Sequence, residues 1–92
     1  MSAYHGWQTL RELDLRLGAA KGTAFRAFRR LESRYAEGSD YVLLDASHSP
    51  ELLAALRAAD RLYRSSPRPL LLSPALADAV LAAARNPPVT GR

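Results

Sequence analysis

Apolar residues along the chain recur at two spacings, and the switches between them mark out its elements. In residues 9–18, Leu10, Leu13 and Leu17 fall on one face at helical spacing. Thr9 or Gln8 is placed to cap this helix. Gly18 stands where a helix ends in the left-handed conformation that glycine tolerates. Ala19-Ala20-Lys21 reads as a tight connection. Residues 22–36 predict a second helix, with Ala24, Ala27, Phe28, Leu31 and Tyr35 as its apolar stripe and Phe25 on the margin. Arg26, Arg29, Arg30 and Ser33 take the opposite side, and Gly38 is a candidate terminator.

The pattern then shortens. Asp40-Tyr41-Val42-Leu43-Leu44-Asp45 is aromatic and β-branched between turn residues, which predicts a strand. Ser49-Pro50-Glu51 combines an N-cap serine, a proline at the first helical position and an acid beside the positive helix end. The helix it opens is expected to run to about Tyr63 and to bury Leu52, Leu56, Ala59 and Tyr63. Pro67 and Pro69 exclude a regular helix from the loop that begins at Arg64. Leu70-Leu71-Leu72 predicts a second short strand, paired with residues 41–44. Ser73-Pro74 repeats the start signal, and a last helix runs from Ala75 to Arg85, closed by Asn86-Pro87-Pro88. The expectation is one α+β, mostly helical domain over residues 1–88, with a flexible tail at 89–92.

The segment from Thr9 to Leu31 resembles the bacterial helix-turn-helix pattern, in which a first helix ends in Leu-Gly, a short turn follows and a second helix enters the major groove. Leu13, Leu17 and Gly18 match the buried and turn positions of that family, and Ala24, Ala27 and Phe28 match the apolar positions of its recognition helix. The fifth position, usually small in the family, is Asp14, which either turns outward or pairs with Arg11 or Arg29. The two strands that follow resemble the hairpin of a winged helix, here a two-stranded hairpin carrying an inserted helix. The remainder of the chain, a strand-helix-strand-helix tail that includes Arg68-Pro69-Leu70-Leu71-Leu72-Ser73, looks distantly like small phage and mobile-element regulators. The resemblance implies sequence-specific binding of double-stranded DNA, as a transcriptional or accessory regulator, with no cofactor.

The positions of the basic residues agree with that implication. The chain carries thirteen Lys and Arg against nine Asp and Glu, a formal charge of +4, and every base except Lys21 is Arg. Arg holds phosphate and the guanine edge bidentately. Residues 22–36 concentrate Arg26, Arg29, Arg30 and Arg34 against the single acid Glu32. Arg26, Arg29 and Arg30 are the candidates for groove and phosphate contacts. Arg34, Lys21 and Thr23 support them on the backbone, and Gly22 would let the chain approach a phosphate closely. Arg64 and Arg68 flank Ser65-Ser66 in the wing position, where a DNA contact and an ordinary surface loop are both open. Tyr4 and Trp7 either meet DNA or pack outside the first helix as a small satellite core.

The last helix is apolar almost all round, since between Ala75 and Ala84 only Asp78 is charged. Such a helix must be buried. It either completes the core or forms a homodimer interface through Leu76, Ala79, Val80 and Ala83, which would imply symmetric DNA sites. A protein-interaction module, or one subunit of a heteromeric regulator, is the other function this helix would serve. Catalysis finds little footing. Cysteine is absent, and His5 and His48 stand apart without a metal-ligand spacing. The lack of cysteine, the lack of a signal-peptide pattern and the lack of a membrane-length apolar run place the expected site of action in the cytoplasm.

Overall fold

The computed structural model describes residues 4–64 and 69–86. Among these residues the order is β1 (Gln8–Thr9), α1 (Leu10–Leu17), α2 (Thr23–Leu31), a 3-10 turn (Glu32–Arg34), β2 (Tyr41–Leu43), α3 (Pro50–Ala58), β3 (Leu70–Leu72) and α4 (Pro74–Arg85). The fold is a small α+β one, as its periodicities predict. The sheet, however, has three antiparallel strands in the order β1-β3-β2, not two. Gln8 and Thr9 pair with Leu72 and Leu71 on one side of β3, and Tyr41, Val42 and Leu43 pair with Leu72, Leu71 and Leu70 on the other. A strand of two residues is too short to show an alternating pattern, so β1 leaves no trace in the sequence.

The all-leucine run of β3 follows from its central place. Successive side chains of a strand point to opposite faces, and a strand covered on both faces can be apolar throughout. Leu70 and Leu72 join the main core with Leu13, Ala24, Ala27, Phe28, Tyr41, Leu76, Ala77, Val80 and Leu81. Leu71 points the other way, into a second cluster with Leu44, Leu56 and Leu62. Tyr4 and Trp7, edge to face at 5.0 Å, pack on that second cluster rather than on the outside of α1. The molecule is thus layered: α1, α2 and α4 on one face of the sheet, α3 on the other.

Most of the helix ends match their signals. Thr9 caps α1 in a reciprocal box with Glu12: the Glu12 amide donates to the Thr9 hydroxyl at 3.1 Å, and the Thr9 amide donates to the Glu12 carboxylate at 2.9 Å. Gly18 closes α1 in the left-handed conformation at φ 64°. Ser73 caps α4 by accepting from the Leu76 amide at 3.2 Å. Ser49 makes no such bond; Asp45 instead organises the turn before α3, accepting from the amides of Ser47 and His48.

Two helices end early. α3 stops at Ala58, so Tyr63 is not on its buried face. Asp60 takes the left-handed conformation at φ 59°, and the amides of Asp60 and Arg61 donate to Arg57 and Leu56 in a Schellman closure. Asp visits that conformation at modest cost, but it does not announce a helix end as glycine does. α2 stops at Leu31 and tightens into the 3-10 turn, after which Tyr35 packs against the core.

The apolar helix α4 completes this chain's own core. Leu76 and Val80 have no exposed surface, and Ala79 and Ala83 lie partly buried against the same cluster. Leu76 and Val80, two of the four residues expected at a homodimer interface, are therefore packed inside this chain, while Ala79 and Ala83 keep part of their surface. The outward positions of α4 are Ala75, Asp78, Ala82 and Arg85, and small alanines at the surface explain why the helix looks apolar all round. Among the described residues, no helix is long and apolar enough to cross a membrane.

Candidate nucleic-acid interface

Helix α2 is built to be held from beneath. Ala24 and Ala27 are buried and small enough to admit close packing, and Phe28 packs edge to face on Tyr41 at 5.0 Å. At its far end, the Arg30 guanidinium donates to the Ala83 carbonyl of α4 at 3.1 Å. These contacts leave Phe25, Arg26, Arg29 and Arg30 exposed on the outer surface.

The near end is held by a residue of α1. The N-cap of α2 is Gly22, at φ 97°, which has no side chain to satisfy the first amides of the helix. Asp14 supplies the acceptor instead. It is 2% exposed, and its two carboxylate oxygens accept from the Ala24 amide at 2.7 Å and the Gly22 amide at 3.1 Å. The Tyr63 hydroxyl donates to the same carboxylate at 2.5 Å. Burial, then the bond to Asp14 and its charge, push the Tyr63 phenol up to about 12. Asp14 therefore turns inward and pairs with neither Arg11 nor Arg29.

The cap corrects the reading of Gly22 and Thr23 as phosphate donors. The Gly22 amide is taken by Asp14, and the Thr23 amide and hydroxyl both donate to the Ala20 carbonyl, at 3.2 and 2.8 Å. A carboxylate occupies the place an anion would take at this helix end. Glycine is needed at position 22 for its positive φ, not for room beside a ligand.

The remaining candidates separate into groups. Arg26 reaches back toward the Thr23 hydroxyl at 3.5 Å. Arg29 pairs through Nε with Glu32 at 3.1 Å, and its guanidinium lies 5.8 Å over the Phe25 ring. Arg34 is exposed on the 3-10 turn, off the straight line of α2. Lys21 sits in the connection with its ammonium 5.0 Å over the Tyr63 ring. Arg64 is exposed one residue beyond Tyr63, which brings this part of the β2–β3 connection to the near end of α2. Arg68 lies outside the described residues, as do Ser65 and Ser66.

A polar network fixes that connection. Arg61 holds Glu12 with two nitrogens, at 2.7 and 2.9 Å, and donates to the Trp7 carbonyl at 2.9 Å. The Thr9 hydroxyl donates to the Arg61 carbonyl at 2.6 Å, and Arg11 donates to the Asp60 carbonyl at 2.6 Å. Residues 60–63 are thereby fastened along α1. Beyond the three-residue spacing of Thr9 and Glu12, nothing in the sequence positions announces this network. For Asp14 the one available signal is the bare glycine cap of α2, which requires an acceptor from elsewhere in the chain.

Beside α2 runs a mostly apolar groove of about 520 Å³, lined among others by Phe25, Phe28, Tyr41, Leu43, Leu62 and Pro69. His48 pairs with Asp45 at 3.1 Å on an exposed turn; hydrogen bonds from its backbone and side chain hold the Asp45 carboxyl below the usual range. Among the described residues no group of three or more His, Asp or Glu side chains is placed to share a metal ion. Comparison of the chain with protein-family models, curated proteins and solved structures finds no match.

Proposed function

We propose that this chain is a sequence-specific double-stranded DNA-binding domain, a winged-helix-like helix-turn-helix that serves as a cytoplasmic transcriptional or accessory regulator. The observation that carries this reading is α2 itself. It presents Arg26, Arg29 and Arg30 outward, while a buried carboxylate and a core of small residues fix it on the fold. A rigid element that carries Arg at one edge is what base readout in the major groove asks for. Lys21, Arg34 and Arg64 flank the helix and would hold the phosphate backbone. The connection between β2 and β3, with α3 inside it, takes the wing's place.

A partner module built on α4 has less support, because the residues that would serve it are buried in the chain's own core. The test is selection from random duplex pools at about physiological salt, with an Arg26→Ala/Arg29→Ala variant in parallel. A motif enriched by the wild type and lost in the variant supports the reading. Weak, salt-sensitive binding with no motif in either protein overturns it.

A further inference from the structure

We propose that Phe25 is a base-reading residue: its exposed ring meets the C5-methyl of a thymine in the major groove, next to the base that Arg29 holds. The inference rests on the DNA-binding reading and names part of the sequence that would be read.

Phe25 is one of three large apolar residues exposed among the described residues, at 41%. A single exposed apolar side chain is common and asks for no explanation by itself. The surroundings of this one are unusual. It stands in the first turn of α2, with Arg26 beside it and Arg29 one turn on, in a stretch whose one acid, Glu32, is already paired with Arg29. A protein surface rich in guanidinium suits a polyanion, and duplex DNA is the polyanion whose groove floor also offers apolar groups. Each thymine presents a methyl there, beside hydrogen-bonding edges that suit Arg.

The geometry joins the two functions. One edge of the Phe25 ring leans on Phe28, with centroids 6.3 Å apart and planes tilted by 32°. The Arg29 guanidinium lies 5.8 Å from the ring centroid, oriented by its bond to Glu32. An apolar platform and a planar donor fork are thus presented as one unit. The cation–π contact with the ring and the ion pair with Glu32 limit where the fork can go, so a methyl contact at one base biases the hydrogen-bonded contact at its neighbour.

The test uses the full chain and the duplex motif enriched by the wild type. Each thymine is replaced in turn by deoxyuridine, which lacks only the C5-methyl. Affinity is measured for the wild type, Phe25→Ala and Phe25→Leu, after melting curves establish that all three fold. The wild type should lose about threefold to tenfold at one thymine position. Phe25→Ala should bind the two duplexes within about twofold of each other, and Phe25→Leu should keep most of the discrimination. A motif without thymine, uridine duplexes bound as well as thymine ones, or equal losses in wild type and Phe25→Ala overturn the inference and leave the DNA-binding reading intact. A wild type that enriches no motif overturns both.

Discussion

Asp14 of α1 caps a helix other than its own, accepting from the Ala24 amide of α2 at 2.7 Å. The position of α2 therefore depends on one buried carboxylate. Asp14→Ala would leave the Gly22 and Ala24 amides and the Tyr63 hydroxyl without an acceptor. The expected loss is about 2 kcal/mol, or about 8–16 °C in Tm. Asp14→Asn should recover part of it, since the amide oxygen still accepts. Thermal unfolding followed by circular dichroism checks both, and an unchanged Tm for Asp14→Ala contradicts the capping role.

Gly22→Ala attacks the same junction by a different route. At φ 97° an added Cβ is strained whatever space surrounds it, and here it would also meet the Arg26 guanidinium at 3.1 Å. Arg26 can swing away, so the backbone strain dominates and the expected cost is about 1–2 kcal/mol. Urea unfolding should show a lower midpoint with an unchanged m-value.

Val80 separates a core helix from an interface helix. With no exposed surface at that position, Val80→Asp buries an unpaired charge and should cost about 4 kcal/mol or more, a large share of a small domain's stability. The expected outcome is loss of helical signal. A folded variant that merely fails to self-associate in sedimentation would instead place α4 at an interface.

The Glu12–Arg61 pair gives a pH dependence of known sign. Burial works against the charged form of Glu12, but hydrogen bonds from Arg61 and from the Thr9 amide hold its carboxyl below the usual 4.5. A folded value below the unfolded one contributes stability that is present above about pH 5 and is lost as pH falls through the folded value. The stability gap between wild type and Glu12→Gln should therefore be widest near neutrality and narrow toward about pH 3. A gap that stays constant with pH would mean that the pair's charge contributes nothing.

Arg26 and Arg30 should part company when stability and DNA affinity are measured together. Arg30 holds the Ala83 carbonyl, so Arg30→Ala is expected to cost about 1 kcal/mol of stability. Arg26 is exposed and reaches the Thr23 hydroxyl at a long 3.5 Å, so Arg26→Ala should stay within about 0.5 kcal/mol of the wild type. Either substitution that removes a phosphate contact should flatten the plot of log affinity against log salt by about 1.

What the sequence discloses here is local, and what it conceals is long-range. Thr9, Gly18 and Ser73 declare their helix ends because a cap is a contact between near neighbours. Leu70-Leu71-Leu72 declares a buried strand, though not that two strands flank it. Asp60 ends α3 in a conformation usually assigned to glycine, so the apolar periodicity of the sequence runs on to Tyr63 past the actual helix end. Asp14 reads as a polar interruption of an apolar face, because its partners at residues 22, 24 and 63 lie outside the helix that contains it. The basic residues of α2 are legible as a group from spacing alone. Which of their neighbouring amides are already spent is not.

The central place of β3 orders events during synthesis. β1 lies at residues 8–9 and β2 at residues 41–43, yet neither acquires its hydrogen-bonded neighbour until Leu72 has been made. A chain emerging from the ribosome at about 5–20 residues per second therefore carries α1 and α2 for several seconds before the strand beneath them arrives. During that interval the basic helix has been made but lacks the leucine strand of its core, and the α4 residues Leu76 and Val80 that complete the same cluster follow later still.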